Sequence, residues 1–179
     1  VPTVGGNISS GQPVMAAGGF DQKESEEFFG SEEPYLPLAT RPDVLVFQTE
    51  PLVEDLEVTG PVSVQLWISS SAVDTDFTAK LVDVYPPSED FPEGYALNLT
   101  DGILRVKFRD SWERTELMEP GKVYQIELGL LPISNLFVKG HRIRLDISSS
   151  NFPRFDVNGN TGENPGTSPV RITALNSVY

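Results

Sequence analysis

From Pro42 onward the chain consists of short runs in which apolar and polar residues alternate, each closed by a turn signal. In the segment 140–156, Arg142, Arg144 and Asp146 interleave with Ile143, Leu145 and Ile147. A period of two places apolar side chains on one face of a strand and polar ones on the other. Beyond it, Ser148-Ser-Ser150, Asn151 and Pro153 end the strand, because proline lacks a ladder donor and short polar side chains compete for backbone groups. Strand-like runs recur over 44–49, 56–59, 62–69, 77–85, 95–100, 103–109, 122–130, 142–148 and 170–178. Thr59-Gly-Pro61, Pro86-Pro87, Asp101-Gly102, Glu119-Pro-Gly121 and Lys139-Gly140 supply turns between them. Leu104, Val106 and Phe108 against Arg105, Lys107 and Arg109 read as a one-sided antiparallel strand. No long segment carries the 3.6-residue helical period. The pattern predicts an all-β sandwich of jelly-roll kind over residues 42–179.

Residues 1–41 differ. Gly5-Gly6, Gly18-Gly19, Pro2, Pro13, Pro34 and Pro37, with the acidic stretch Glu24-Ser-Glu-Glu27 before Phe28-Phe29, predict an irregular arm. Asp21 followed by Glu24 resembles a capping box and predicts a short helix. At 179 residues the chain buries enough surface for a core without staples, and the lack of cysteine excludes disulfides and thiolate metal sites. Thirteen basic against 26 acidic residues give a net charge of -13, which argues against nucleic acid and anionic membranes as partners. No apolar run approaches the ~20 residues that span a bilayer. The start Val1-Pro-Thr-Val has no signal-peptide pattern, so a soluble chain, cytoplasmic or secreted, is expected. The first residue is not methionine, which predicts an excised or processed piece.

The search for chemistry yields few candidates. A serine nucleophile needs a base, and His141 is the only histidine. No Gly-x-Ser-x-Gly elbow is present, so His141 reads as a structural residue at a strand entrance. The carboxylate pairs Asp74 with Asp76, Glu54 with Asp55, and Glu32 with Glu33 have the makings of a glycosidase pair but read as solvated faces of an acidic protein. Asp156, Asn158 and Asn160 begin like a calcium loop, but Thr161 and Thr167 stand where glycine and a bidentate glutamate belong, so an Asx-rich turn is expected and no metal or cofactor. Asn7-Ile-Ser9 and Asn98-Leu-Thr100 fit the glycosylation pattern. Trp67 reads as core and Trp112 as a loop residue, with a sugar platform as the alternative. The stretches 66–77 and 145–156 echo each other, which predicts that their loops share one end of the sandwich and that Asp74 or Asp76 pairs with Arg154.

Several longer motifs, in order, carry a resemblance. They are Arg41-Pro-Asp-Val-Leu-Val-Phe-Gln-Thr-Glu-Pro-Leu52, Leu56-Glu-Val-Thr-Gly-Pro-Val-Ser-Val64, Asp74-Thr-Asp-Phe-Thr-Ala-Lys-Leu-Val-Asp-Val84, Asp101-Gly-Ile-Leu104, Gly140-His-Arg-Ile-Arg-Leu145 and Asn151-Phe-Pro-Arg-Phe-Asp156. Over about 41–179 the chain resembles the C-terminal domain of X-prolyl dipeptidyl-peptidase and cocaine-esterase-like hydrolases, and Val1-Pro-Thr-Val-Gly-Gly6 resembles the family's linker. The arm from Gly11 to Pro37 is longer than usual, and Asn158-Gly-Asn160 lacks the proline that often follows the first asparagine. The resemblance implies a galactose-binding-like jelly roll, the last domain of a serine hydrolase whose triad lies in an upstream α/β-hydrolase domain. His141 falls in the jelly roll's own Gly-His-Arg motif, so no catalytic role carries over. The expectation is a non-catalytic accessory domain that packs on the hydrolase domain and helps wall its cleft, with possible homo-oligomer contacts. Phe77, Phe152, Arg154 and Phe155 are the candidates near that junction; Asp74, Asp76, His141 and Asp156 are structural polar candidates. The rival reading is a free-standing carbohydrate- or polymer-binding module. A docking face predicts an exposed apolar patch of several hundred Å2.

Overall fold

The computed structural model describes residues 21–24, 26, 31–152, 154–164 and 168–179. Seven strands form: β1 Leu45–Gln48, β2 Leu56–Ser70, β3 Asp76–Tyr85, β4 Tyr95–Arg105, β5 Tyr124–Phe137, β6 Arg142–Ser148 and β7 Asn176–Val178. All described pairings are antiparallel, giving a four-stranded sheet ordered β1-β6-β3-β4 and a three-stranded sheet ordered β5-β2-β7. This is the expected all-β sandwich. Its core is made by the inward halves of the alternations: Leu66 and Ile68 of β2, Phe77 and Ala79 of β3, Leu104 of β4, Ile126, Leu128 and Leu130 of β5, and Ile147 of β6. Each large member contributes about 1.5–3 kcal/mol by leaving water.

Two turn expectations and two strand expectations fail for physical reasons. Thr59-Gly-Pro61 does not reverse the chain: Gly60 at φ 132° and donor-less Pro61 are absorbed as a bulge, and β2 runs on past it. Asp101-Gly102 sits inside β4, where Gly102 lets the sheets touch. A Cβ there would lie 2.7 Å from the Gly129 carbonyl oxygen of β5. Beside it, Thr100 Oγ1 donates to the Leu131 carbonyl at 3.1 Å, so β4 lies against β5. The strand read over 103–109 ends at Arg105, and Val106–Phe108 forms a 3-10 turn. Of 170–178 only β7 pairs, because the backbone before it bonds to loops: Ile172 N–H to the Gly159 carbonyl and Leu175 N–H to Ser71 Oγ.

The arm is not a helix where it is described. Residues 21–24 are extended: Asp21 bridges Leu97 of β4, Lys23 bridges Pro37, and Gln22 is fully buried. Gln22 N–H donates to the Ala96 carbonyl, and its own carbonyl accepts from Leu38 N–H, Leu38 being buried just ahead of the turn into β1. The strap thus crosses the outer face of the four-stranded sheet from β4 toward β1. The remainder of the capping segment, the linker motif 1–6 and the Asn7 acceptor site lie outside the described residues. Among the described residues no helix is long and apolar enough to cross a membrane.

The contact of Gly102 with a backbone carbonyl leaves a side chain no flexible neighbour to displace. Gly102→Ala is expected to lower the unfolding free energy in urea by about 1–3 kcal/mol. Gly129→Ala, whose added carbon meets open space, is expected to stay within about 0.5 kcal/mol.

Candidate functional site

Beneath the strap the outer face of the four-stranded sheet carries a row of buried charges. Register places Lys80 of β3 directly between Asp101 of β4 and Asp146 of β6. Arg154 extends the row by pairing with Asp101, which also accepts from Asn151 Nδ2 at 2.8 Å. At the other end Arg144 Nη2 donates to Asp146 at 3.0 Å. Lys80 Nζ donates to Gln22 Oε1 at 3.0 Å, so the strap caps the ammonium. Burial draws the Lys80 ammonium down to about 8, against the pull of Asp101 and Asp146, and it holds Asp146 above the usual carboxylate range despite Arg144 and Lys80.

A second network closes the end of the sandwich where β3 begins and β6 ends. The loop 71–76 is tied to the turn after β4 by Met118 N–H to the Val73 carbonyl and Val106 N–H to the Thr75 carbonyl. Asp74 accepts from Lys107 N–H at 3.0 Å, and Asp76 takes Arg105 in a two-point pair at 2.9 and 3.0 Å. Asn158 Nδ2 bridges both carboxylates, at 3.2 Å to Asp74 and 2.7 Å to Asp76. Lys107 Nζ reaches across to the Gly162 carbonyl at 2.9 Å and pins the following loop. Burial raises the Asp74 carboxyl, with Asn158 and the Lys107 amide acting against it.

Next to this network lies a cleft of about 740 Å3 whose walls include Leu45, Phe77, Ile147, Asn158, Leu175 and Asn176. Phe77 forms part of its floor and of the core. Phe152 and Phe155 sit partly buried in the corner after Asn151, Phe155 N–H bonding the Asn151 carbonyl at 3.2 Å, with the Arg154 guanidinium 5.4 Å from the Phe155 ring centre. The two echoing loops do share this end, since Asn158 joins one to the other. The expected ion pair is different: Arg154 takes Asp101, because Asp74 and Asp76 already have Lys107 and Arg105 beside them. Asp156 is exposed and contributes its carbonyl to Arg105 at 3.5 Å.

His141 lies at the opposite end, where β6 starts. Its Nδ1 meets Asp83 Oδ1 at 2.9 Å, Asn135 Nδ2 donates to the other Asp83 oxygen at 3.3 Å, and the Tyr85 ring packs on the imidazole at 4.1 Å. The calcium-like segment is an Asx turn, with Asn160 N–H donating to Asn158 Oδ1 at 2.8 Å. Asn98 stands half-buried in β4 with its amide oxygen enclosed. Trp67 is not core. Flanked by inward Leu66 and Ile68, it points outward opposite Gln125 and remains 49% exposed. The sequence reading missed Lys80, Asp101, Asp146 and Lys107; the available signal was a lysine set among apolar residues in 77–85.

An acid, base or nucleophile has to reach a substrate, and Asp74, Asp76 and His141 are buried to within 8% of full enclosure. Their partners hold the β-sandwich together, so these three are structural residues of the domain. A family model for the X-Pro dipeptidyl-peptidase C-terminal non-catalytic domain matches residues 9–179, and the chain belongs to that family. It is 51% identical over 126 residues to the cocaine esterase of Rhodococcus sp. (strain MB1 Bresler), covering 70% of this chain and 21% of the esterase. Among solved structures it resembles an aminopeptidase from a marine sediment archaeon, Thaumarchaeota archaeon, at 35% identity and TM-score 0.75, covering 79% of this chain and 24% of that one. An α-amino acid ester hydrolase matches at 34% identity and TM-score 0.75, with the same coverages. The chain thus spans a quarter or less of the length of these relatives.

Between pH 8 and 10.5 the unfolded chain keeps a proton on Lys80 that the folded chain has released. Rising pH therefore favours the folded state across this window through that group. Below pH 8 both states hold the proton, and the folded state bears the full desolvation penalty. Lys80→Met is expected to flatten this part of the stability profile relative to the wild type, measured by urea unfolding at pH 7.5, 9 and 10.5. Identical slopes in the two proteins would rule out the buried ammonium as their source.

Proposed function

We propose that this domain packs against an α/β-hydrolase catalytic domain of the same polypeptide, a serine hydrolase of the X-Pro dipeptidyl-peptidase or acyl and amino-acid esterase type. There it stiffens the catalytic domain and helps shape the substrate cleft. The observation carrying this reading is that the chain matches a fifth to a quarter of several hydrolases in a family defined as a non-catalytic C-terminal domain. The clamped end supports it, because loops tied through Asn158 and Lys107 make a firm wall rather than a mobile lid. Phe152, Arg154 and Phe155, on the corner fixed to Asp101, are the residues proposed to lie near the junction. The sandwich is read as a galactose-binding-like jelly roll on resemblance.

The test compares three proteins: the full-length parent, the parent lacking this domain, and the chain alone. The chain alone is expected to hydrolyse neither p-nitrophenyl acyl esters nor X-Pro anilides. Removing it from the parent is expected to lower kcat/KM about tenfold or more, a loss of about 1.4 kcal/mol in transition-state stabilisation. A truncated parent with unchanged kinetics and melting temperature would refute the accessory role.

A second reading, a carbohydrate-binding module, draws on the half-exposed Trp67, beside which Tyr179 lies 70% exposed with its hydroxyl bonded to Ser69 Oγ at 3.0 Å. It predicts a rise in melting temperature with oligosaccharide that Trp67→Ala abolishes. No shift across a panel of neutral glycans would eliminate it.

A further inference from the structure

The sandwich is lopsided. Counting across from the contact of β4 with β5, β2 falls opposite β3 and β7 opposite β6, which leaves β1 with no strand facing it among the described residues. Leu45 and Phe47 of β1 pair with Ile147 and Leu145, in register with the core side of the sheet, yet remain 45% and 51% exposed. Leu175, on the opposite wall of the cleft, is 76% exposed. The cleft described above runs between them, floored by Phe77, Ile147 and Val178.

Its charge is as telling as its shape. In a chain with 26 acidic residues, Asp43 is the single ionised side chain of the cleft wall among the described residues, and Arg41 already holds it at 3.0 Å. The rest of the wall is aliphatic, aromatic, hydroxyl and amide. Such a surface has no charge pair to give up, and several of its polar groups are already bonded within the chain, Ser148 Oγ to Thr78, Asn160 Nδ2 to the Ile172 carbonyl and Asn176 Nδ2 to Thr75 and Ser149.

We propose that this open side, β1 with Leu175 and the cleft between them, is the face on which the catalytic domain of the same polypeptide seats through an uncharged, apolar surface. The inference rests on the accessory-domain reading above. Two features select this occupant. The relatives carry about three quarters or more of their length outside the part matched here, so a large body stands in covalent reach. Tethering supplies an effective concentration in the millimolar range, at which an apolar face without charge pairs is enough for stable seating.

The test places Phe47→Asp and Leu175→Asp in the full-length parent, with Leu136→Asp on the outer face of the other sheet, 51% exposed beside buried Phe137, as control. Both positions are half exposed or more, so the chain carrying either change is expected to keep its own melting temperature. Amide exchange over 42–48 and 170–179 is expected to be at least about tenfold slower in the parent than in the isolated chain, a decade in the local opening constant. Phe47→Asp and Leu175→Asp are expected to erase that protection and to lower activity toward that of the truncated parent, while Leu136→Asp does neither. Equal exchange in parent and isolated chain, with truncation still damaging, would overturn the docking face and leave the accessory reading standing. A harmless truncation would sink the reading itself. Dimerisation of the isolated chain that Phe47→Asp abolishes would make a second copy the occupant and overturn the proposal.

Discussion

The structure turns on the Lys80 ammonium. A charge taken out of water is tolerated only where opposite charges and hydrogen-bond acceptors surround it, and Lys80 has two carboxylates at its shoulders and an amide oxygen above. Satisfying it fixes more than one side chain. Gln22 brings the strap down over the sheet, Asp101 holds Arg154 and hence the corner after Asn151, and Asp146 holds Arg144. The outer face of the four-stranded sheet, which in a two-layer sandwich ordinarily meets water, becomes a third, polar layer. Removing the strap would leave an ammonium facing solvent on one side and carboxylates on the other, an arrangement with no single best geometry.

The end network follows the same logic with different parts. Asp74 and Asp76 are two negative charges, and Lys107 and Arg105 balance them. Asn158 then does what a charge cannot, donating to both carboxylates at once and fixing the distance between loops that are 82 and 84 residues apart in sequence. Carboxylates and a histidine placed this way resemble catalytic machinery in composition. They differ in access, and access decides chemistry. The family's description as a non-catalytic domain accords with Asp74, Asp76 and His141 each bonded to partners inside the sandwich.

The strands and their inward faces were legible because alternation reports which side of a strand is apolar, and Leu66, Ile68, Leu104, Ile126 and Leu128 all lie where it puts them. Alternation does not report what the polar side meets. Arg144 and Asp146 fall on the polar side of β6 as the alternation has it, yet both are buried. Turn chemistry misled where glycine served contact rather than reversal, as Gly102 does against β5. The partner of Arg154 was not legible at all, since an acidic chain offers it many carboxylates and only the folded corner after Asn151 brings Asp101 to it. The motif order over 41–179, by contrast, identified the family correctly.

The short strand β7 carries a consequence for biosynthesis. β2 finds its first partner in β5 and its second in residues 176–178, with Ile68 waiting for Val178. As the chain leaves the ribosome, Ile68–Ser70 of β2 wait more than a hundred residues for this second partner. Long-range pairing of this kind forms slowly and leaves a bare strand edge in the meantime. The inner end of β2 therefore gains its second neighbour only when residues 176–178 have been made, so the three-stranded sheet is completed last.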